Sequence, residues 1–123
     1  MKKKILIVDD HADLRRLLRL TLKDEGYELH EVANGPDAVA EAERLQPDLV
    51  LLDIMMPGGM DGYRVCRLLK TGPGLMSRTK VIFITARGQP YDRAHATSIG
   101  ADGYITKPFS PLEVIEQVRQ ALA

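Results

Sequence analysis

Five short apolar runs, each followed by a stretch with helical spacing, limit this chain's fold more than any other feature. The runs are Ile5-Leu6-Ile7-Val8, segment 28–33 (ELHEVA), Leu49-Val50-Leu51-Leu52, Val81-Ile82-Phe83-Ile84 and Gly103-Tyr104-Ile105-Thr106. Runs of four apolar residues with no polar interruption suit strands buried on both faces. The polar interruptions in segment 28–33 place that strand at a sheet edge.

Between the runs lie five predicted helices. Leu14, Leu17, Leu18, Thr21 and Leu22 share one face, and Gly26 stops that helix. Gly35-Pro36 opens the second, Ala38, Ala42 and Leu45 line it, and Gln46-Pro47 ends it. The third starts near Gly62, with Asp61 as cap, Val65, Leu68 and Leu69 inward, and a stop at Thr71-Gly72-Pro73-Gly74. Segment 91–99 reads as a short polar helix ended by Gly100. Ser110-Pro111-Leu112-Glu113 is a capping box opening a last helix that bears Leu112, Ile115, Val118 and Leu122. Strands alternating with helices call for a parallel sheet covered on both sides. Right-handed crossovers make it a doubly wound three-layer α/β sandwich.

At 123 residues the chain is expected to form a single domain, 1–123. Lys+Arg and Asp+Glu are both 17, so the basic excess of a phosphate-neutralising nucleic-acid binder is missing, and no direct nucleic-acid contact is expected. One cysteine, Cys66, excludes an internal disulfide, and its helical setting assigns it to packing. The Met1-Lys2-Lys3-Lys4 start precedes only four apolar residues, too few for a signal peptide or a membrane span. A cytoplasmic location is the expectation.

In an open parallel sheet the ligand crevice lies beyond the carboxyl ends of the strands. There the first run meets Asp9-Asp10, the third Asp53, the fourth Thr85-Ala86 and the fifth Thr106-Lys107-Pro108. Any one of these has a bland explanation as a cap, a strand residue or a solvated loop lysine. Together they converge three carboxylates, a hydroxyl and an ammonium on one sheet edge. Two carboxylates about 6 Å apart repel by roughly 3 kcal/mol at an effective dielectric near 20, so three call for a cation. Oxygen donors on a wet site suit Mg²⁺. His11 adjoins the acidic pair, but one imidazole makes no zinc site; His11, His30 and His95 read as surface residues. A carboxylate beside Mg²⁺, facing a lysine and a hydroxyl, suits phosphoryl transfer, in which an aspartate can act as nucleophile.

The segments ILIVDD (5–10), LVLLDIMMP (49–57), FITA (83–86) and YITKPF (104–109) resemble the receiver domain of two-component response regulators over the whole chain. The resemblance implies a flavodoxin-like (βα)5 fold with strand order 2-1-3-4-5. It implies Asp53 as phosphoacceptor and Mg²⁺ on Asp10, Asp53 and the Met55 backbone carbonyl, with Asp9 acting through water. Thr85 corresponds to the switch hydroxyl, Tyr104 to the switch aromatic and Lys107 to the phosphate-binding lysine, and Lys107–Pro108 is expected to be cis. The family loop usually reads DxxMPGMDG; Gly58-Gly59 here is one glycine longer, which loosens the segment after the nucleophile. Met55 and Arg87 stand where the family tunes phosphoryl lifetime; Arg87 either covers the phosphoryl group or points to solvent.

The expected donor is a sensor histidine kinase or a histidine phosphotransfer protein. The face of helix 91–99, strand 103–106 and helix 110–122 is expected to move and dock an output protein or fused domain, with exposed Tyr104, Ala94, Ala96 and Ile99 as its apolar part. The chain would be a signalling domain, not an enzyme, acting either free-standing or as the receiver piece of a longer regulator. An FMN-binding flavodoxin-like protein is a rival, although Asp9-Asp10 would repel the FMN phosphate. An aspartate-nucleophile phosphohydrolase is another, although that class needs Asp-x-Asp after its first strand.

Overall fold

A computed structural model describes residues 2–73 and 78–123 of the chain. Its elements run β1 Lys4–Val8, α1 Ala12–Leu22, β2 Glu28–Val32, α2 Gly35–Leu45, β3 Leu49–Leu52, α3 Gly62–Lys70, β4 Lys80–Thr85, α4 Pro90–Ser98, β5 Gly103–Thr106 and α5 Pro111–Leu122. All pairings are parallel, and the sheet order is β2-β1-β3-β4-β5. The expected three-layer sandwich is what forms. Gly74, the last residue of the expected stop after α3, lies outside the described residues.

Strand alternation splits the core into two. Leu6, Val8, Val50, Leu52, Val81 and Phe83 point to the side covered by Ala38, Ala42, Val65, Cys66, Leu69 and Ala96. Ile5, Ile7, Leu49, Leu51, Ile82, Ile84 and Ile105 point to the other, covered by Leu18, Leu22, Val114 and Val118. So α2, α3 and α4 lie on one face of the sheet, and α1 and α5 on the other. Cys66 is buried, and desolvation pushes its thiol up to about 11, in keeping with packing rather than chemistry.

Leu68, expected to face inward, faces outward, and Leu17 and Leu112 do the same. Leu17, Leu68 and Leu112 are exposed, while the sheet is met by the pairs Leu18/Leu22, Val65/Leu69 and Val114/Val118. Each pair is spaced i, i+4, a stripe narrower than the apolar content of its helix. Neighbouring leucines lie about 100° apart on a helix, so only the docking angle decides which one is buried.

Side chains cap the starts of α2, α3 and α5. Asp61 accepts from the Arg64 amide at 3.0 Å and Ser110 from the Glu113 amide at 3.1 Å, as expected. The α2 cap is Asn34, which accepts from the Asp37 amide at 2.8 Å. Gly26 does not itself end α1; the helix stops at Leu22, and Gly26, with φ of +86°, turns the chain toward β2.

Candidate functional site

Asp9, Asp53 and Lys107 are carried on backbone that continues the sheet's ladder past the strand ends. The Asp9 amide donates to the Val32 carbonyl at 3.3 Å, Asp53 to Val8 at 3.1 Å and Lys107 to Thr85 at 2.8 Å. Asp53 thus leaves the sheet from its central strand with its main chain still bonded. The loop behind it is pinned at Gly62, whose amide donates to the Ile54 carbonyl at 2.8 Å. A Cβ on Gly62 would stand 2.2 Å from the Asp53 carbonyl oxygen, so only glycine permits this approach. Gly58 and Gly59 adopt φ of +91° and +81°, giving the longer loop a defined left-handed turn.

Asp9 and Asp53 are only 2% and 4% exposed. Lys107 Nζ donates to Asp9 Oδ2 and to Asp53 Oδ2, each at 3.0 Å. The other oxygens are held by backbone: Asp9 Oδ1 by the His11 amide at 2.8 Å, and Asp53 Oδ1 by the Met55 amide at 3.2 Å. Asp10 is partly exposed, yet its Oδ1 is buried and has no hydrogen-bond partner among the described residues. Donor atoms of Asp9, Asp10, His11 and Asp53 all lie within 4.8 Å of one another. The His11 ring is exposed, as expected of a surface residue, but its Nδ1 comes within 3.1 Å of Asp9 Oδ1 and 3.2 Å of Asp10 Oδ1. It belongs to the cluster, which its reading as a bystander missed.

The electrostatics follow from one ammonium serving two buried acids. Burial raises the Asp53 pKa above the ordinary carboxylate range, and the Asp9 charge adds to this; the Lys107 hydrogen bond and charge pull it back only in part. Burial works against the Lys107 ammonium too, but its bonds to Asp9 and Asp53 prevail and raise its pKa. The two upward shifts agree once Asp9 is counted: the trio carries a surplus negative charge, which adds to the larger effect of burial on Asp53. A divalent cation suits this pocket. It would relieve the surplus, and the unpartnered Asp10 oxygen is a free donor of the hard type such an ion takes.

Thr85 is fully buried at the end of β4, and its Oγ1 accepts from the Arg87 amide at 3.3 Å. Tyr104 is half-buried rather than exposed: it packs on the first core, its ring 6.2 Å from that of Phe83, and its hydroxyl donates to the Arg87 carbonyl at 2.5 Å. Removal from water pushes its phenol up to about 12. Ala96 is also buried, so the expected apolar docking patch is smaller than the sequence suggested, because α4 sits down on Phe83 and its neighbours. Arg87 takes neither expected course. Its Nε lies 3.2 Å from Asp92 Oδ1, and Nη1 lies 3.6 Å from Met55 Sδ. Asp92 is 2% exposed and also accepts from the Tyr63 hydroxyl at 3.3 Å. Nothing local marked Asp92 or Tyr63; they meet only because α3 and α4 share a face of the sheet. The Lys107–Pro108 peptide is cis, as expected.

Comparison with known proteins agrees with this geometry. The family model described as the response regulator receiver domain matches residues 5–119. The transcriptional regulatory protein ResD of Bacillus subtilis is 44% identical over 97% of the chain and 48% of its own length. The DNA-binding response regulator MtrA of Mycobacterium tuberculosis is 39% identical over 99% of the chain and 51% of its own length. The chain therefore spans about half the length of these curated relatives. The chemotaxis protein CheY4 of Vibrio cholerae superposes with a TM-score of 0.91 at 28% identity, covering 99% of this chain and 100% of that one. The sheet order, the acid-and-lysine cluster at its carboxyl edge and these matches agree, and the chain belongs to the response regulator receiver domain family.

Proposed function

We propose that Asp53 is the residue through which this receiver domain takes up a phosphoryl group. One observation carries the reading: Lys107 Nζ bridges Asp9 and Asp53 at 3.0 Å each, beside an Asp10 oxygen with no partner. A carboxylate oxygen of Asp53 attacks phosphorus, and the bond from phosphorus to the donor's leaving group breaks. With a phosphohistidine donor, from a sensor kinase or a phosphotransfer protein, the imidazole leaves as the neutral ring after taking up a proton. Asp53 is already oriented for this by the Met55 amide, and Lys107 stands ready to neutralise an equatorial phosphoryl oxygen. Asp10, Asp53 and the Met55 carbonyl would hold Mg²⁺, with Asp9 acting through water; when bound, the ion supplies charge neutralisation for the transferred group.

Thr85 and Tyr104 are the switch pair in this reading. A new dianion at Asp53 gives the Thr85 hydroxyl a stronger acceptor than it now has. The Arg87 amide that Thr85 accepts from and the Arg87 carbonyl that Tyr104 binds are parts of one short loop. Motion of that loop is therefore passed to Tyr104 and to the face of α4, β5 and α5, where an output partner docks. The domain acts stoichiometrically as a signal, not as a turnover enzyme, and makes no nucleic-acid contact itself. Incubation with acetyl phosphate and Mg²⁺ should add one phosphoryl mass to the chain, sensitive to hydroxylamine. Asp53→Asn should abolish the gain; a variant still labelled would overturn the assignment.

A further inference from the structure

Arg15 has no part in the phosphoryl chemistry above, yet its side chain runs to the edge of the acid cluster. Helical side chains lean toward the amino end of their helix, and Arg15, one turn into α1, reaches back past its start. Its Nη1 donates to the Asp9 carbonyl at 2.7 Å, and its Nε to Glu31 Oε1 on β2 at 3.0 Å. The second Glu31 oxygen accepts from Arg19 Nε at 2.7 Å, so Glu31 is itself held from two sides.

The carbonyl that Arg15 holds belongs to the peptide joining Asp9 to Asp10. Asp9 has other anchors: its amide donates to Val32, and its carboxylate accepts from the His11 amide and from Lys107. Asp10 Oδ1 has none among the described residues, so the direction of that carboxylate is set by its backbone. With only 18% of its side chain exposed and both ends tied, Arg15 resists any rotation of this peptide, which would break a charge-assisted bond.

We propose that Arg15 is a positioning residue for phosphoryl uptake: tethered to Glu31, it locks the Asp9–Asp10 peptide and so aims the Asp10 carboxylate into the cation pocket. The inference rests on the reading of Asp10 as a donor to Mg²⁺ and adds what keeps that donor in place. A positive charge beside a cation site repels the cation, so any benefit from Arg15 has to come from geometry. The planar guanidinium spans a carboxylate and a carbonyl at once, whereas a lysine ammonium is a point charge on a flexible stem. Lysine at this position keeps the charge and loses the tether.

The test compares the whole chain with Arg15→Lys and Glu31→Gln, with Mg²⁺ titrated against the amide resonances of residues 9–11. We expect the Mg²⁺ Kd to rise about tenfold in Arg15→Lys and by a smaller factor in Glu31→Gln, with the double variant no worse than Arg15→Lys alone. The Asp10 amide resonance should move in both variants before metal is added. Labelling by acetyl phosphate should need more Mg²⁺ but approach the wild-type rate at saturation. A metal-free urea midpoint reads the fold separately, because a merely structural Arg15 would lower that midpoint and leave the Mg²⁺ Kd alone. A wild-type Kd in Arg15→Lys would overturn the role of Arg15 while leaving the carboxylate pocket standing. A wild-type chain that binds no Mg²⁺ would overturn the reading of Asp10 as well.

Discussion

Lys107 Nζ stands 3.0 Å from Asp53 Oδ2 and the same distance from Asp9 Oδ2, so a single ammonium divides its charge between two buried acids. Lys107→Met should therefore cost about 1–3 kcal/mol in metal-free urea denaturation at pH 7.5, less than a fully sealed ion pair because the freed acids can take up protons. The loss should shrink at pH 5 only so far as Asp53, whose pKa is raised, takes up its proton and no longer needs the ammonium. The Lys107 pKa is raised in the fold, so its contribution is complete below the ordinary lysine value and disappears only on the alkaline side, above it. An unchanged urea midpoint at pH 7.5 would show that the ammonium is not shared as described.

Asp53 has the opposite consequence. Its folded pKa is raised chiefly by burial, so the fold binds its proton more tightly than the unfolded chain does. Stability from this group is highest at acid pH and falls as pH rises from the ordinary carboxylate value through the raised one. Without metal, Asp53→Asn should be more stable than the wild type at pH 7.5, and the gap should close toward pH 4. A gap that widened on acidification would reverse the sign argued for the pocket.

Gly62 controls the same residue from the backbone side. Adding a methyl would bring Cβ to 2.2 Å from the Asp53 carbonyl oxygen and 2.8 Å from Ile54 Cα, neither of which can swing aside as a side chain does. Gly62→Ala should destabilise by about 2–4 kcal/mol and displace the Asp53 amide resonance in nuclear magnetic resonance spectra. A neutral substitution would mean that the loop after β3 is slack.

Arg87, Asp92 and Tyr63 tie the loop after Thr85 to α4 and α3. Asp92 is buried, whereas Arg87 is partly exposed, so the pair is worth less than a sealed one. Arg87→Ala should lower the urea midpoint and speed amide exchange in α4, and adding Asp92→Asn should recover part of the loss. Strict additivity in this double-mutant cycle would show that the two side chains do not interact.

The parallel sheet and the cluster at its carboxyl edge were legible because each depends on local pattern, whereas the strand order was implied only by the resemblance to the receiver family. Four-residue apolar runs name the strands, and whatever follows a run in a parallel sheet lands at the same edge; Asp9, Asp53, Thr85 and Lys107 were found by that rule alone. Helix faces were less legible where leucines adjoin, since Leu17 and Leu18, or Leu68 and Leu69, differ only by rotation about the helix axis.

By itself, then, the sequence determined the alternation of strand and helix, the convergence of three acids and a lysine, and the placement of glycines where the backbone turns or closes in. Tertiary structure alone decided that His11 turns toward Asp9 and Asp10 rather than capping α1, that Tyr104 is half-buried with its hydroxyl on the Arg87 carbonyl, and that Arg87 pairs with Asp92. Period and spacing are properties of neighbours along the chain. The contact of Tyr63 with Asp92, 29 residues apart, depends on how two helices settle on one sheet, and no local pattern encodes that angle.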